Sequence, residues 1–191
     1  MKSIQEIIQL SIQKKQELLN DAALLERVQA FCDAGLEAYR AGKKVMLCGN
    51  GGSAADAQHI AAELSGRFYF DRPPLDAEAL HVNSSYLTAV GNDYGYEYVY
   101  ARLLESRAKA GDLLIALSTS GNSTNVLAAA IKAKEMGVKV IGLTGSRGGK
   151  LAAYSDILLN MPSDDTPRIQ ELHILIGHLF CEYVEAHFFR G

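Results

Sequence analysis

The chain has 191 residues, 48% of them apolar and 21% charged, with a formal net charge of −3. That length suits one folded unit with a real core, and a mildly acidic balance without any basic run excludes a general nucleic-acid binder and a disordered tail. No apolar stretch approaches the roughly 20 residues that span a bilayer, so no membrane partner is expected.

The first 40 residues read as two helices. Ile4, Ile8 and Ile12 lie on one stripe with Ile7, Leu18 and Leu19 beside it, the spacing of an amphipathic helix. Glu6, Gln9 and Lys14 interrupt this stretch as a signal-peptide core, so secretion is not expected. Asn20-Asp21 breaks or caps, and Leu25, Val28, Cys32, Leu36 and Tyr39 carry a second pattern that ends at Ala41-Gly42. This hairpin packs either on its own sheet or against another subunit.

From residue 44 the rhythm changes to short apolar runs at 44–49, 76–82, 112–120, 139–145 and 156–162. Helical patterns lie between most of them, at 53–65, 96–109, 123–136 and a short one near 148–154. Strands alternating with helices imply parallel strands joined by right-handed crossovers. The fold class expected is therefore α/β, a doubly wound five-stranded parallel sheet with an N-terminal helical hairpin, in a single domain over 1–191 (helices in 1–42, sandwich in 43–191). The last segment, 167–188, opens with Thr166 as N-cap and Pro167 at the first helical position. It is apolar on nearly all sides, so it should be buried against the sheet or other subunits. Cys32, Cys48 and Cys181 are odd in number and lie in apolar surroundings, reading as buried free thiols of a reducing cytoplasm.

A doubly wound sheet binds ligands beyond the carboxyl ends of its strands. After the first strand comes Gly49-Asn50-Gly51-Gly52-Ser53. Ser53 with Asp56 makes a variant capping box, and the helix N-terminus behind the glycines favours an anion. The spacing matches neither the dinucleotide fingerprint nor a Walker loop. After the third strand, Ser118, Thr119, Ser120, Ser123 and Thr124 crowd around Gly121, more hydroxyls than one cap needs, and suited to a phosphate monoester. Gly91-Asn92-Asp93 reads as an ordinary turn.

His59 and Glu63 are four apart on one helix and share a face. Carboxylate plus imidazole serves either acid–base chemistry or a metal, or is a solvated polar pair. In the last helix Gln170 and His178 are eight apart, about 12 Å along an ideal helix and about 80° around it. They straddle one ion only at a stretch, or different subunits contribute. His173 reads as a core residue on the stripe with Leu172 and Ile176. His81 falls in a strand and His187 near the end.

Together "CGNGGSAADAQHIAAELSGR", "GNDYG", "LSTSGNS", "LTG" and "RIQELHILIGH" resemble the phosphoheptose isomerases of the sugar-isomerase (SIS) fold, a flavodoxin-like sheet, over nearly the whole chain. The resemblance implies a cytoplasmic bacterial enzyme. It interconverts sedoheptulose 7-phosphate and D-glycero-D-manno-heptose 7-phosphate, toward activated heptose for lipopolysaccharide core or other surface glycan. It further implies a homotetramer with the N-terminal helices central and active sites between subunits. One zinc ion per subunit is implied on His59, Glu63, Gln170 and His178, with Glu63 and His178 as the acid–base pair. Implied substrate contacts are Asn50, Gly51, Gly52, Ser53, Glu63, Asn92, Asp93, Ser118, Thr119, Ser120, Ser123 and Gln170. A zinc-bound carboxylate is a poorer base, so the two roles of Glu63 compete. The chain departs from its relatives at Asn83, where Asp is common. Rival readings are a non-catalytic SIS protein that binds a replication initiator, against which Glu63 and His178 both count, and an isomerase or sensor for another sugar phosphate.

Overall fold

A computed structural model describes residues 2–190. Helix α1 (Ile4–Asn20) starts at a capping box in which Ser3 and Glu6 exchange hydrogen bonds. The Asp21 carboxylate then accepts the Leu24 N–H at 2.9 Å and opens α2 (Ala22–Arg40). From there strands and helices alternate: β1 (Val45–Cys48), α3 (Gly52–Ser65), β2 (Ala77–Ala79), α4 (Ser84–Asp93) and α5 (Val99–Arg107). The second half is β3 (Leu113–Leu117), α6 (Thr124–Glu135), β4 (Lys139–Thr144), β5 (Ile157–Asn160) and α7 (Thr166–Phe189), with short 3-10 turns at Tyr96–Tyr98 and Lys150–Tyr154.

The five strands are all parallel in the order β2-β1-β3-β4-β5. Chain direction across the sheet reverses between β1 and β3, which opens a crevice at their carboxyl ends. Successive side chains of a strand point to opposite faces, and the core divides accordingly. Val45, Leu47, Leu113, Ile115 and Leu117 face one layer, built on α2, α3 and α7. Met46, Cys48, Leu114 and Ala116 face the other, built on α4, α5 and α6. Burial on both faces is why these strands are near-continuously apolar. All three cysteines are free and buried, and burial raises each thiol pKa.

Several local expectations are corrected. A helix, α4, occupies the stretch that carries Gly91-Asn92-Asp93, so these are its last turn rather than a free turn. Asn83 is its N-cap, accepting the Tyr86 N–H at 3.0 Å, work an Asp would do equally. The second strand is three residues long, and His81 lies in the turn after it. Asp165, not Thr166, is the N-cap residue of α7. Gly51 takes the N-cap position of α3 and no side chain caps it, so the Ser53–Asp56 box does not form. Helix α7 buries Ile169, Leu172, Ile176, Phe180 and Val184 but leaves Leu175 and Leu179 exposed. Among the described residues no helix is long and apolar enough to cross a membrane.

Candidate active site

Two loops form the walls of the crevice. The Gly49–Gly52 loop joins β1 to α3, and the Ser118–Ser123 loop joins β3 to α6. The hydroxyls of the second loop are not consumed by capping. Ser123 occupies the N-cap position of α6 without a side-chain cap bond, and its Oγ lies 3.0 Å from the Oγ of buried Ser118. Ser120 Oγ accepts the Asn122 N–H at 3.1 Å and closes the turn. Beside this loop is a cleft of about 320 Å³ lined by Thr119, Ser120, Asn122, Gly145, Arg147 and Asp164. The sequence had suggested a cradle of neutral donors. The fold adds a cation, Arg147, brought from the loop after β4 and 3.4 Å from Asp164.

A second cluster joins α3 to α7. His59 Nε2 stands 2.9 Å from His178 Nε2 and 3.4 Å from Glu63 Oε1. The spacing along α3 puts His59 and Glu63 on one face, but His178 arrives only because α7 packs closely on α3. A Cβ at Gly177 would sit 2.4 Å from Ile60 Cδ1, so the residue before His178 must be small for the helices to approach this near. Phe68 walls the cluster, its ring 5.9 Å from that of His178. Gln170 lies elsewhere along α7, against the Gly-rich loop, where a Cβ at Gly52 would meet its Nε2 at 2.4 Å.

Two imidazole nitrogens, a carboxylate oxygen and a carboxamide are the donor types that a divalent ion accepts, so the set fits a metal by its chemistry. Among the described residues no three His, Cys, Asp or Glu side chains are arranged as a finished metal site. The structure brings His59, Glu63 and His178 together and holds Gln170 at the neighbouring loop.

The other expected residues divide. Asn50, Gly51 and Gly52 line the β1 loop, while Ser53 is buried at the start of α3. Asn92 and Asp93 pair with each other at 2.8 Å on the last turn of α4. His173 is fully buried, its ring Nε2 3.2 Å from the Thr144 carbonyl, as its place on the apolar stripe implied.

Residues to which the sequence assigned no chemical role also surround the site. Asp56, on α3, has a buried Oδ2 without a partner among the described residues. Desolvation pushes its pKa up to about 6, against the opposing pull of His59. Arg72 and Glu185 form an ion pair at 2.8 Å with both side chains almost wholly buried. Glu185 also accepts the N–H groups of Phe68, Tyr69 and Phe70, and Arg72 donates to the carbonyls of Glu63, Leu64 and Gly66 at the end of α3. The pair thus fastens the end of α3 to α7. No local pattern reveals it, since its members are far apart in sequence.

Comparison with known proteins agrees with this architecture. The sequence profile of the SIS domain matches residues 11–145. The phosphoheptose isomerase of Mycobacterium tuberculosis is 56% identical over 184 residues, covering 96% of this chain and 94% of that protein. That of Aneurinibacillus thermoaerophilus is 50% identical, with 96% and 93% covered. Among solved structures, a phosphoheptose isomerase from Francisella tularensis superposes with a TM-score of 0.91 at 38% identity, covering 97% of this chain and 99% of that one. The Neisseria gonorrhoeae phosphoheptose isomerase gives 0.88 at 42%, with 96% and 100% covered.

Proposed function

The chain belongs to the SIS-domain family as an aldose–ketose isomerase of the phosphoheptose isomerase group, and from that we propose that it interconverts sedoheptulose 7-phosphate and D-glycero-D-manno-heptose 7-phosphate through an enediol. The observation that carries this reading is the meeting of α3 and α7, where Glu63 and His178 both stand within 3.4 Å of His59 beside the β1–β3 crevice.

Isomerisation moves a proton between C1 and C2 and requires proton traffic on the two oxygens. In this reading the Glu63 carboxylate carries the carbon-bound proton from one face. The His178 imidazole donates to and accepts from the oxygens. Ser118, Thr119, Ser120 and Ser123 hold the phosphate at the start of α6, where the N-terminal end of the helix favours negative charge. Asn50, Gly51, Gly52, Ser53, Asn92, Asp93 and Gln170 complete the grip on the sugar. His59, Glu63, Gln170 and His178 would hold a zinc ion, which when bound polarises the substrate oxygens and stabilises charge on them.

The proposal extends to a cytoplasmic homotetramer whose product feeds activated heptose for lipopolysaccharide core or another surface glycan. The exposed isoleucines of α1 support assembly. Ile4, Ile7, Ile8 and Ile12 are each between 45% and 75% exposed in the isolated chain, an apolar stripe that monomers rarely leave open.

The deciding experiment is product formation from sedoheptulose 7-phosphate, before and after chelation. Turnover lost on chelation and restored by zinc supports the whole reading. Turnover indifferent to chelation keeps the isomerase and removes the metal. Glu63→Gln is expected to lower kcat at least about 1000-fold, in the range of lost general catalysis, in a folded protein. Activity near wild type removes Glu63 from the chemistry.

A further inference from the structure

The two loops of the crevice are latched by a pair of carboxamides. Asn50, after β1, donates its Nδ2 to Asn125 Oδ1 at 2.8 Å. Asn125, in the first turn of α6, donates its Nδ2 back to Asn50 Oδ1 at 2.8 Å. Asn125 is 2% exposed.

Carboxamide orientation is ambiguous in isolation, but here it is fixed. Asn125 Oδ1 also accepts the Val126 backbone N–H at 2.9 Å. A backbone N–H only donates, so the atom facing it is oxygen, and the opposite atom of Asn125 is the N–H group. That group in turn requires the oxygen of Asn50. The hydroxyls of Tyr100 and Tyr96 lie 3.4 and 3.5 Å from the same oxygen, and Tyr100, itself buried, donates to the Gly49 carbonyl. Asn50 therefore has its oxygen committed to the Asn125 N–H and one of its own two N–H bonds committed to Asn125. Its second N–H has no protein partner among the described residues.

We propose that Asn125 is a positioning residue that locks Asn50 as a hydrogen-bond donor, so that the crevice meets an oxygen acceptor of the sugar phosphate at this point. The proposal rests on the reading of Asn50 as a substrate contact. Its content is the direction of that contact and the residue that sets it. A pair that only satisfied its own buried polar groups would affect stability alone.

Asn125→Asp keeps size but places an oxygen opposite the Asn50 oxygen. Turning Asn50 only brings its oxygen against the other carboxylate oxygen, so the pair opens and the Asn50 N–H is no longer held toward the ligand. Asn125→Ala removes the lock. Both variants are first melted to establish folding, then titrated calorimetrically with sedoheptulose 7-phosphate and assayed for kcat and KM. In Asn125→Asp, Kd and KM are expected to rise about tenfold, the worth of one well-placed hydrogen bond, with kcat changed less than about threefold. Asn125→Ala should give a smaller rise. Kd and KM within twofold of wild type in both variants, whatever their melting temperatures, overturn the proposal.

If neither variant folds, side-chain amide exchange by NMR on the wild-type protein decides. One Asn50 proton protected and the other exchanging freely supports the lock, and two exchanging alike overturns it. Wild-type protein that binds the sugar phosphate without turnover defeats the isomerase reading and leaves this proposal to the binding data. Wild-type protein that neither binds nor reacts overturns both.

Discussion

His173 shows how one side chain couples this fold to pH. Its ring is fully buried, its Nε2 meets the Thr144 carbonyl at 3.2 Å, and its Nδ1 has no partner among the described residues. Since a carbonyl only accepts, Nε2 carries the proton and the ring is neutral. Desolvation pulls its pKa down to about 4, opposed by the bond to Thr144. The unfolded chain takes up a proton near the ordinary value of 6.5 and the native chain does not. The stability this represents is present above pH 6.5 and is lost as pH falls toward 4, on the order of 3 kcal/mol in all. Urea unfolding from pH 7.5 to 4.5 should show that decline, and a His173→Gln variant should show a flatter one. An equal slope in the two proteins would remove His173 as its source. The sequence placed His173 in the core from its stripe with Leu172 and Ile176, because burial of a helix face is a local property. It did not reveal the partner, which lies on β4.

At the scale of elements, the Arg72–Glu185 pair joins the end of α3 to α7 across the chain. Burial pushes the Glu185 pKa up, but the N–H groups of Phe68 and Tyr69, with Arg72 and Phe70, outweigh it and the net shift is downward. Its stabilising contribution is therefore present at neutral pH and is lost as pH falls below the usual carboxylate range. Removing one partner leaves a buried charge uncompensated. Glu185→Ala should cost about 3–5 kcal/mol in denaturant unfolding, and the double variant Arg72→Met/Glu185→Leu should cost less than the single one. A double variant as unstable as the sum of both singles would show that the two residues act independently. The elements themselves were mostly legible, because α2, α3, α6 and α7 carry clear periodicity. Helix α4 was not. It buries only Val90 fully, so its apolar pattern is faint, and the turn formers Asn92 and Asp93 fall within its last turn.

At the scale of the whole molecule, α1 is the element least explained by the isolated chain. It is tied to α7 by polar contacts, Ser11 to Glu171 at 2.7 Å and Arg168 to the Ile7 carbonyl at 3.0 Å, while its isoleucines face outward. Replacing Ile4, Ile8 and Ile12 together by Ser should reduce the proposed homotetramer to smaller species in sedimentation velocity. Turnover should fall at least about tenfold if neighbouring subunits complete the site. A variant with the wild-type sedimentation coefficient would exclude this stripe as the interface. By itself the sequence determined the α/β class, the parallel doubly wound order of strands and helices, the burial of the thiols and the shared face of His59 and Glu63. All of these follow from local periodicity, in which a residue's neighbours three, four or two positions away dictate its face. Only the tertiary structure decided that His178 meets His59, 119 residues away, that Arg147 and Asp164 border the cleft beside the Ser118–Ser123 loop, and that Asn125 bonds Asn50. Those contacts depend on how closely packed elements approach, which hinges on side-chain volumes such as the missing Cβ of Gly177 against Ile60, and no local pattern encodes that distance.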